Sequence, residues 1–189
     1  MATKKEKIEK TDKIALSVDD IWDEVNKEFG GTAVFKGSDE INFNWETIPF
    51  PTPSLGDAVG HWGAPLGRIL HFHGKEGCGK TFLSLLIAKE SLAKYPGSEV
   101  LFIDAEGSYD RNWVETLGID TSRIRVISKN DAVEVFRLLV GKWKDGKKVA
   151  TGILDRIIAG TLNVKLIILD SLAHLISQAE KDRDVSEME

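Results

Sequence analysis

Eight consecutive residues of this 189-residue chain have the types and spacing of a phosphate-binding loop. Gly74-Lys75-Glu76-Gly77-Cys78-Gly79-Lys80-Thr81 fits the pattern G-x-x-x-x-G-K-[ST]. Glycines let successive backbone N–H groups turn toward phosphate oxygens, and a helix that follows directs its positive end to the same point. In such loops the lysine reaches the β- and γ-phosphates and the hydroxyl binds Mg²⁺. The pattern therefore predicts a site for a magnesium-bound nucleoside triphosphate.

Two carboxylates are candidates for the same site. Asp170 ends the apolar run at residues 166–169, and an acid at the carboxyl edge of a sheet can hold Mg²⁺ together with Thr81. Glu106 lies just past a second apolar run, where a carboxylate can orient or deprotonate an attacking water. The alternative for Glu106 is a solvated or helix-capping carboxylate, and an acid after a buried strand is by itself a common pattern.

Other reactive residue types have plainer interpretations. Cys78 is either a redox sensor or a small side chain at a variable loop position, and we favour the second. His71 and His73 are two residues apart on a predicted strand and share a face, but without a nearby third ligand they are expected to be core or loop-facing side chains. The tryptophans Trp22, Trp45, Trp62 and Trp143 are expected to be packing residues.

Apolar runs and helical periodicities alternate along the second part of the chain. The predicted strands are residues 68–73, 100–104, 124–127 and 166–170, and the predicted helices are residues 80–92, 109–117, 131–140 and 151–160. Residues 54–59 favour a helical turn, and residues 142–148 form a polar, basic connection. Continuous apolar strands separated by helices indicate a parallel sheet covered on both faces. The fold class is therefore α/β.

The N-terminal part of the chain has a different pattern. Ser17, followed three residues later by Asp20, predicts a helix start, and apolar residues then recur at helical spacing until Gly30. Residues 32–35 favour a short strand, and prolines interrupt the chain between residues 49 and 65. We therefore expect an N-terminal arm at residues 1–36 and a core at residues 37–189.

Composition excludes several classes of protein. Apolar residues make up 42% and charged residues 29%, as in globular proteins. The single cysteine excludes an intramolecular disulfide and a multi-cysteine zinc site. Without a long apolar run or a secretory pattern at the N-terminus, we expect a cytoplasmic protein that does not bind membranes. The net charge of −5 gives no global support for nucleic-acid binding, so any such role must come from a local surface.

These elements together resemble the RecA/RadA family of recombinases, and most of all its bacterial and phage RecA branch. The resemblance covers nearly the whole chain: residues 25–35, 48–67, 102–110, 117–120 and 166–172 in addition to the loop. It implies a RecA-like P-loop ATPase core, preceded by a helix-and-strand arm at residues 14–35 that joins copies of the chain into a filament.

The resemblance also implies roles for single residues. Lys80 and Thr81 would bind ATP and its Mg²⁺, with Lys75, Glu76, Cys78 and the loop glycines around them, and Asp170 would be the second magnesium-site acid. Glu106 would be the catalytic carboxylate. Asp110 and Trp113 occupy the positions where the family contacts and stacks on adenine, with Trp in place of the usual Tyr. Ser171 aligns with the family's serine.

The family continues beyond the Asp170 strand through DNA-binding loops and a further strand inside the sheet. Leaving about five buried backbone groups unpaired there would cost roughly 5–15 kcal/mol, which equals the stability of a whole domain. We therefore expect a second polypeptide, or a missing C-terminal half, to complete the core. The expected activity is that of a DNA-dependent ATPase acting on single-stranded DNA in recombination and repair. The alternatives are a non-catalytic regulator of such filaments and a hexameric RecA-like helicase or ATPase.

Overall fold

A computed structural model of the chain describes residues 17–28, 34, 36, 38 and 45–177. The chain divides into two compact units, residues 1–44 and residues 45–189, whereas the sequence suggests a boundary after residue 36. The helices are α1 (Val18–Glu28), α2 (Pro53–Val59), α3 (Lys80–Lys94), α4 (Arg111–Thr116), α5 (Ala132–Val140) and α6 (Ile153–Ile158). The strands are β1 (Thr47–Pro49), β2 (Gly63–Pro65), β3 (Glu99–Asp104), β4 (Ile124–Ser128), β5 (Lys142–Lys144), β6 (Lys147–Ala150) and β7 (Val164–Asp170).

In the first unit, α1 begins with the cap that the sequence predicts. The backbone N–H of Asp20 donates to Ser17 Oγ at 3.1 Å, and the backbone N–H of Ser17 donates to Asp20 Oδ2 at 2.9 Å. Hydrogen bonds from Ser17 to the carboxylate lower the pKa of Asp20. Asn26 on the same helix exchanges two hydrogen bonds with the backbone of Val34. The strand predicted at residues 32–35 lies outside the described residues except for Val34.

The second unit is built on a three-stranded parallel sheet in the order β4-β3-β7. The central strand β3 is the most buried element, because its Val100, Phe102 and Ile103 are at most 1% exposed. One face of the sheet packs against α3 through Leu85, Ala88 and Leu92, and the other packs against α5 and α6. The parallel α/β architecture expected from the sequence is therefore confirmed.

A single arginine fixes the end of α3 to the start of β4. The guanidinium of Arg123 donates to the carbonyl oxygens of Leu92 (3.0 Å), Tyr95 (2.8 Å) and Ser98 (2.9 Å). These carbonyls lie at or just after the C-terminus of α3, where helical hydrogen bonding runs out. The arginine thereby ties the carbonyl oxygens at and after the end of α3 to the residue before β4.

The strand predicted at residues 68–73 is wrong, because this segment has no regular structure. The Ile69 side chain is 98% exposed, and His71 and His73 are exposed as well. A strand needs a hydrogen-bonding neighbour, and in the described residues β7 pairs only with β3 and leaves its other edge unpaired. The composition of residues 68–73 favours a strand, but the described part of the sheet offers none for it to join.

The polar, basic connection at residues 142–148 is a hairpin, since β5 and β6 pair antiparallel there around a turn at Asp145 and Gly146. One further expectation is wrong. The four tryptophans are not packing residues in a core, because Trp22, Trp45, Trp62 and Trp143 are all exposed. Among the described helices, none is both long enough and apolar enough to span a membrane.

Candidate functional site

The glycine-rich loop curls back on itself directly before α3. Gly77 (φ 72°) and Gly79 (φ 91°) adopt the left-handed backbone conformation that glycine tolerates best. Lys80, the first residue of α3, folds its side chain over the loop, and its Nζ donates to the carbonyl oxygens of Gly74 (3.2 Å) and Lys75 (3.0 Å). The loop therefore has the turn geometry, the helix N-terminus and the lysine that phosphate binding requires.

Thr81 and Asp170 meet although 89 residues separate them in the sequence. The Thr81 hydroxyl donates to Asp170 Oδ2 at 2.6 Å, which joins the first turn of α3 to the end of β7. Asp170 is buried. These oxygens fit Mg²⁺, which prefers oxygen ligands and is usually held by one or two carboxylates together with substrate phosphates.

Glu106 lies on a turn that is fixed to the end of β7. The N–H groups of Ala105 and Glu106 both donate to the carbonyl oxygen of Asp170, at 2.8 and 3.3 Å. The buried carboxylate of Asp104 accepts three backbone N–H groups from the following residues, Gly107, Ser108 and Tyr109. The structure thus brings Glu106 to the same rim of the sheet as Asp170, and it gives Asp104 a purely structural set of partners.

A histidine that the sequence analysis did not select lies beside Glu106. His174 Nδ1 is 3.7 Å from Glu106 Oε2 and 2.7 Å from Ser171 Oγ. A short 3₁₀ turn at Leu172–His174 places the ring there, and backbone hydrogen bonds from Ile176 to Asn130 and from Ala132 to Ile176 hold the chain that follows. A lone histidine after a strand carries no spacing signal, so only the fold reveals this contact.

The structure places Asp110 and Trp113 at the start of α4. Asp110 Oδ1 accepts the N–H groups of Asn112 (2.8 Å) and Trp113 (3.2 Å), so the carboxylate caps the helix. The Trp113 ring is 40% exposed, and its centroid lies 6.0 Å from that of Phe82, the residue after Thr81. These two rings form a partly exposed aromatic surface next to the loop.

Three further candidates are His71 and His73, which precede the loop, and Cys78, which lies within it. The His71 and His73 ring centroids are 6.2 Å apart, and within the described ranges no group of three or more His, Cys, Asp or Glu side chains is arranged to hold a metal ion. Cys78 is an exposed free thiol whose Sγ would lie 2.8 Å from a Cβ on Gly74, so the loop is tightly closed at that point.

Comparison with known proteins gives a consistent result. The family model described as RecA N-terminal domain matches residues 16–189. Protein RecA of Fusobacterium nucleatum subsp. nucleatum is 32% identical over 199 residues, which cover 100% of this chain and 47% of that protein. Protein RecA of Mycoplasma mycoides is 34% identical over 164 residues (87% of this chain, 42% of the relative), and that of Pseudarthrobacter chlorophenolicus is 30% identical over 168 residues (87% and 42%).

The chain therefore spans rather less than half the length of these relatives. The family model covers almost all of it, including the loop, both carboxylates and the parallel sheet that positions them. This chain belongs to the RecA family and corresponds to its N-terminal domain.

Proposed function

We propose that this chain binds Mg·ATP at residues 74–81 and Asp170 and forms the nucleotide-binding part of a RecA-type recombinase. The observation that carries the proposal is the 2.6 Å contact between Thr81 Oγ1 and Asp170 Oδ2, with the Lys80 ammonium folded over the loop beside it. Thr81 and Asp170 are 89 residues apart in the sequence, so their convergence beside the loop favours a shared ligand.

Each side chain has a defined task in this proposal. The loop N–H groups and Lys80 bind the phosphates, while the Thr81 hydroxyl and the Asp170 carboxylate hold the metal ion. Bound Mg·ATP supplies a γ-phosphoryl group that can be transferred to water. Glu106 orients that water and accepts its proton at the carboxylate, and His174 lies beside it, with Nδ1 3.7 Å from Glu106 Oε2. Trp113, with Phe82 beside it, offers a face for adenine, and the Asp110 carboxylate lies at its edge.

Recombination itself is proposed from the family. Copies of the chain would assemble into a filament on single-stranded DNA through residues 14–35 and promote homologous pairing. The exposed apolar side chains of Val18, Ile21 and Trp22 on α1 support a contact between copies, because the helix buries none of its eleven described residues.

We further propose that one more strand, from polypeptide outside these 189 residues, completes the sheet beside β7. Two observations support it: β7 has an unpaired edge in the described part of the sheet, and residues 68–73 have strand composition without strand structure. A strand placed between them would pair with both and bury Ile69.

Calorimetry with Mg·ATP tests the nucleotide site on the chain itself. The wild-type chain is expected to release heat on binding, and Lys80→Ala is expected to weaken binding at least about tenfold, since it removes a charged hydrogen-bond donor. The matched control is Lys129→Ala, which removes an exposed lysine paired with Glu134. Equal affinities for Lys80→Ala and the control, or unchanged binding after chelation of Mg²⁺, would contradict the proposal.

Electron microscopy tests the assembly. With ATP and single-stranded DNA, the complete protein is expected to form open helical filaments. Closed rings would favour a hexameric helicase or ATPase, and the absence of assembly would favour a regulator that acts on another filament.

A further inference from the structure

The hairpin β5–β6 is a strongly basic segment of an acidic chain. Residues 142–150 contain four lysines and one aspartate, a charge of +3, whereas the whole chain carries −5, which leaves −8 for the rest. Every residue of both strands is exposed. The two strands form a separate two-stranded sheet, so the hairpin presents its side chains to solvent and contributes little to the core.

Three lysines form a ridge along this hairpin. Lys147 lies directly opposite Lys144, and Lys142 lies two residues before Lys144 on β5, on the far side of a register shift between Lys142 and Trp143. None of the three has an ion-pair partner among residues 45–177. Like charges directly across a strand pair destabilise a sheet, and a polyanion bound along the ridge would relieve that repulsion.

The other face of the hairpin carries an aromatic ring. Trp143 is paired with Lys148, its side chain is 59% exposed, and the Lys148 ammonium lies 5.6 Å from the ring centroid. Lys148 also binds Asp155 Oδ1 at 2.5 Å, and Asp155 Oδ2 accepts the N–H of Gly152 at the start of α6. The tryptophan face is thereby tied to the helix that follows the hairpin.

Two glycines hold the base of the hairpin in a fixed position. A Cβ at Gly141 would collide with the carbonyl oxygen of Ala150, and a Cβ at Gly152 would collide with the carbonyl oxygen of Leu139. The two backbone segments that enter and leave the hairpin are thus in direct contact just after α5. The lysine ridge and the tryptophan are consequently presented by a hairpin whose base is closely packed.

We propose that the hairpin β5–β6 is a binding site for single-stranded nucleic acid, separate from the nucleotide site. The lysine ridge binds the phosphate backbone, and Trp143 stacks on a base, which is the combination that single-strand binding surfaces use. A flat anionic membrane can contact only one face of the hairpin at a time and would meet either the lysines or the tryptophan. A flexible polyanion with aromatic bases can contact both.

The test measures binding of a fluorescein-labelled oligothymidylate of about 16 nucleotides, by anisotropy, to the chain without ATP. In the triple variant Lys142→Gln, Lys144→Gln and Lys147→Gln, affinity in about 50 mM salt is expected to fall about tenfold or more, and the slope of log K against log salt to flatten by about 2. The control replaces three exposed lysines elsewhere, Lys89, Lys129 and Lys165, by glutamine and changes the net charge equally. Its affinity is expected to stay close to that of the wild type.

Trp143 gives an independent readout. Trp143→Ala is expected to weaken single-strand binding at least about fivefold, and Trp143→Phe is expected to restore much of it, because stacking needs only an aromatic face. Lys80→Ala is expected to leave this binding unchanged, so failure of the nucleotide site and failure of the hairpin are read separately.

Three results would overturn the proposal. The first is the absence of measurable oligonucleotide binding by the wild-type chain in about 50 mM salt. The second is an equal loss of binding in the hairpin variant and its charge-matched control. The third is hairpin-dependent binding to phosphatidylserine vesicles with no binding to the oligonucleotide, which would assign the hairpin to a membrane surface.

Discussion

The strands predicted at residues 100–104 and 68–73 have very different structures. Each comes before a candidate site residue, VLFID before Glu106 and RILHFH before Gly74. The first is the central strand of the sheet, with neighbours on both sides, and its Phe102 is 1% exposed. The second has no strand structure, and its Ile69 is 98% exposed.

The difference shows that a segment with strand propensity forms a strand only where a neighbouring strand can pair with it. A helix satisfies its hydrogen bonds within its own segment, whereas a strand depends on backbone groups from elsewhere in the chain. Between β4 and β7 the described sheet supplies those groups, and beyond β7 it does not. Three changes, in order of expected effect, test how far the two regions differ.

The largest effect is expected from truncating the buried strand. Phe102→Ala should lower the free energy of unfolding by about 3–5 kcal/mol, since it removes a large side chain from the core beneath α3. Ile69→Ala should change it by no more than about 0.5 kcal/mol, because that side chain is exposed. Urea denaturation measures both. A cost above about 1 kcal/mol for Ile69→Ala would mean that residues 68–73 are paired after all.

A smaller effect on stability is expected from Arg123, which binds the end of α3. Arg123→Met should lower the free energy of unfolding by about 2 kcal/mol, since three carbonyl oxygens lose a charged donor. Arg111→Met, which breaks only the exposed pair with Glu115, should cost about 0.5 kcal/mol or less. Thermal denaturation of the two variants gives the comparison. Similar values for both would show that Arg123 does not stabilise the end of α3.

The smallest effect is a dependence on pH. A hydrogen bond from Arg125 across β3 and β4, outweighing the opposing effect of burial, holds the pKa of Glu99 below its ordinary value of 4.5. A folded-state pKa below the unfolded one contributes stability above the unfolded value, and this contribution is lost as pH falls through the folded pKa. Glu99→Gln should therefore be less stable than the wild type near neutral pH and equal to it in strong acid.

Urea denaturation across that pH range measures this contribution, and Arg125→Gln should reproduce the same profile. A stability difference between Glu99→Gln and the wild type that stays constant from neutral to acid pH would assign the loss to packing instead of charge.

Local chemistry made much of the fold predictable. Ser17 and Asp20 predict a helix cap within four residues, and the glycines before Lys80 predict a tight turn. The apolar runs of β3 and β7 predict buried strands. All of these signals lie within a few residues of the structure that they specify. The convergence of Thr81 with Asp170 was also expected, because the carboxyl ends of parallel strands share one rim.

The features that the sequence does not predict depend on partners far away in the chain, or on segments whose composition is not typical of a strand. Arg123 acts on carbonyls as many as 31 residues away, and His174 meets Glu106 only after the chain turns back over the end of β3. The hairpin β5–β6 has lysines on both strands and buries neither face, so its composition predicts only a polar connection. Its signal was the Asp145-Gly146 pair, a dipeptide typical of tight hairpin turns.

The hydrogen bond between Thr81 and Asp170 has a consequence for how a ligand would be received. It joins the first turn of α3 to the end of β7 without a ligand, so Thr81 and Asp170 are already aligned with each other. Binding of a metal ion would then replace one partner of the Thr81 hydroxyl by another without moving α3 or β7. Little conformational entropy would therefore be lost when a ligand binds.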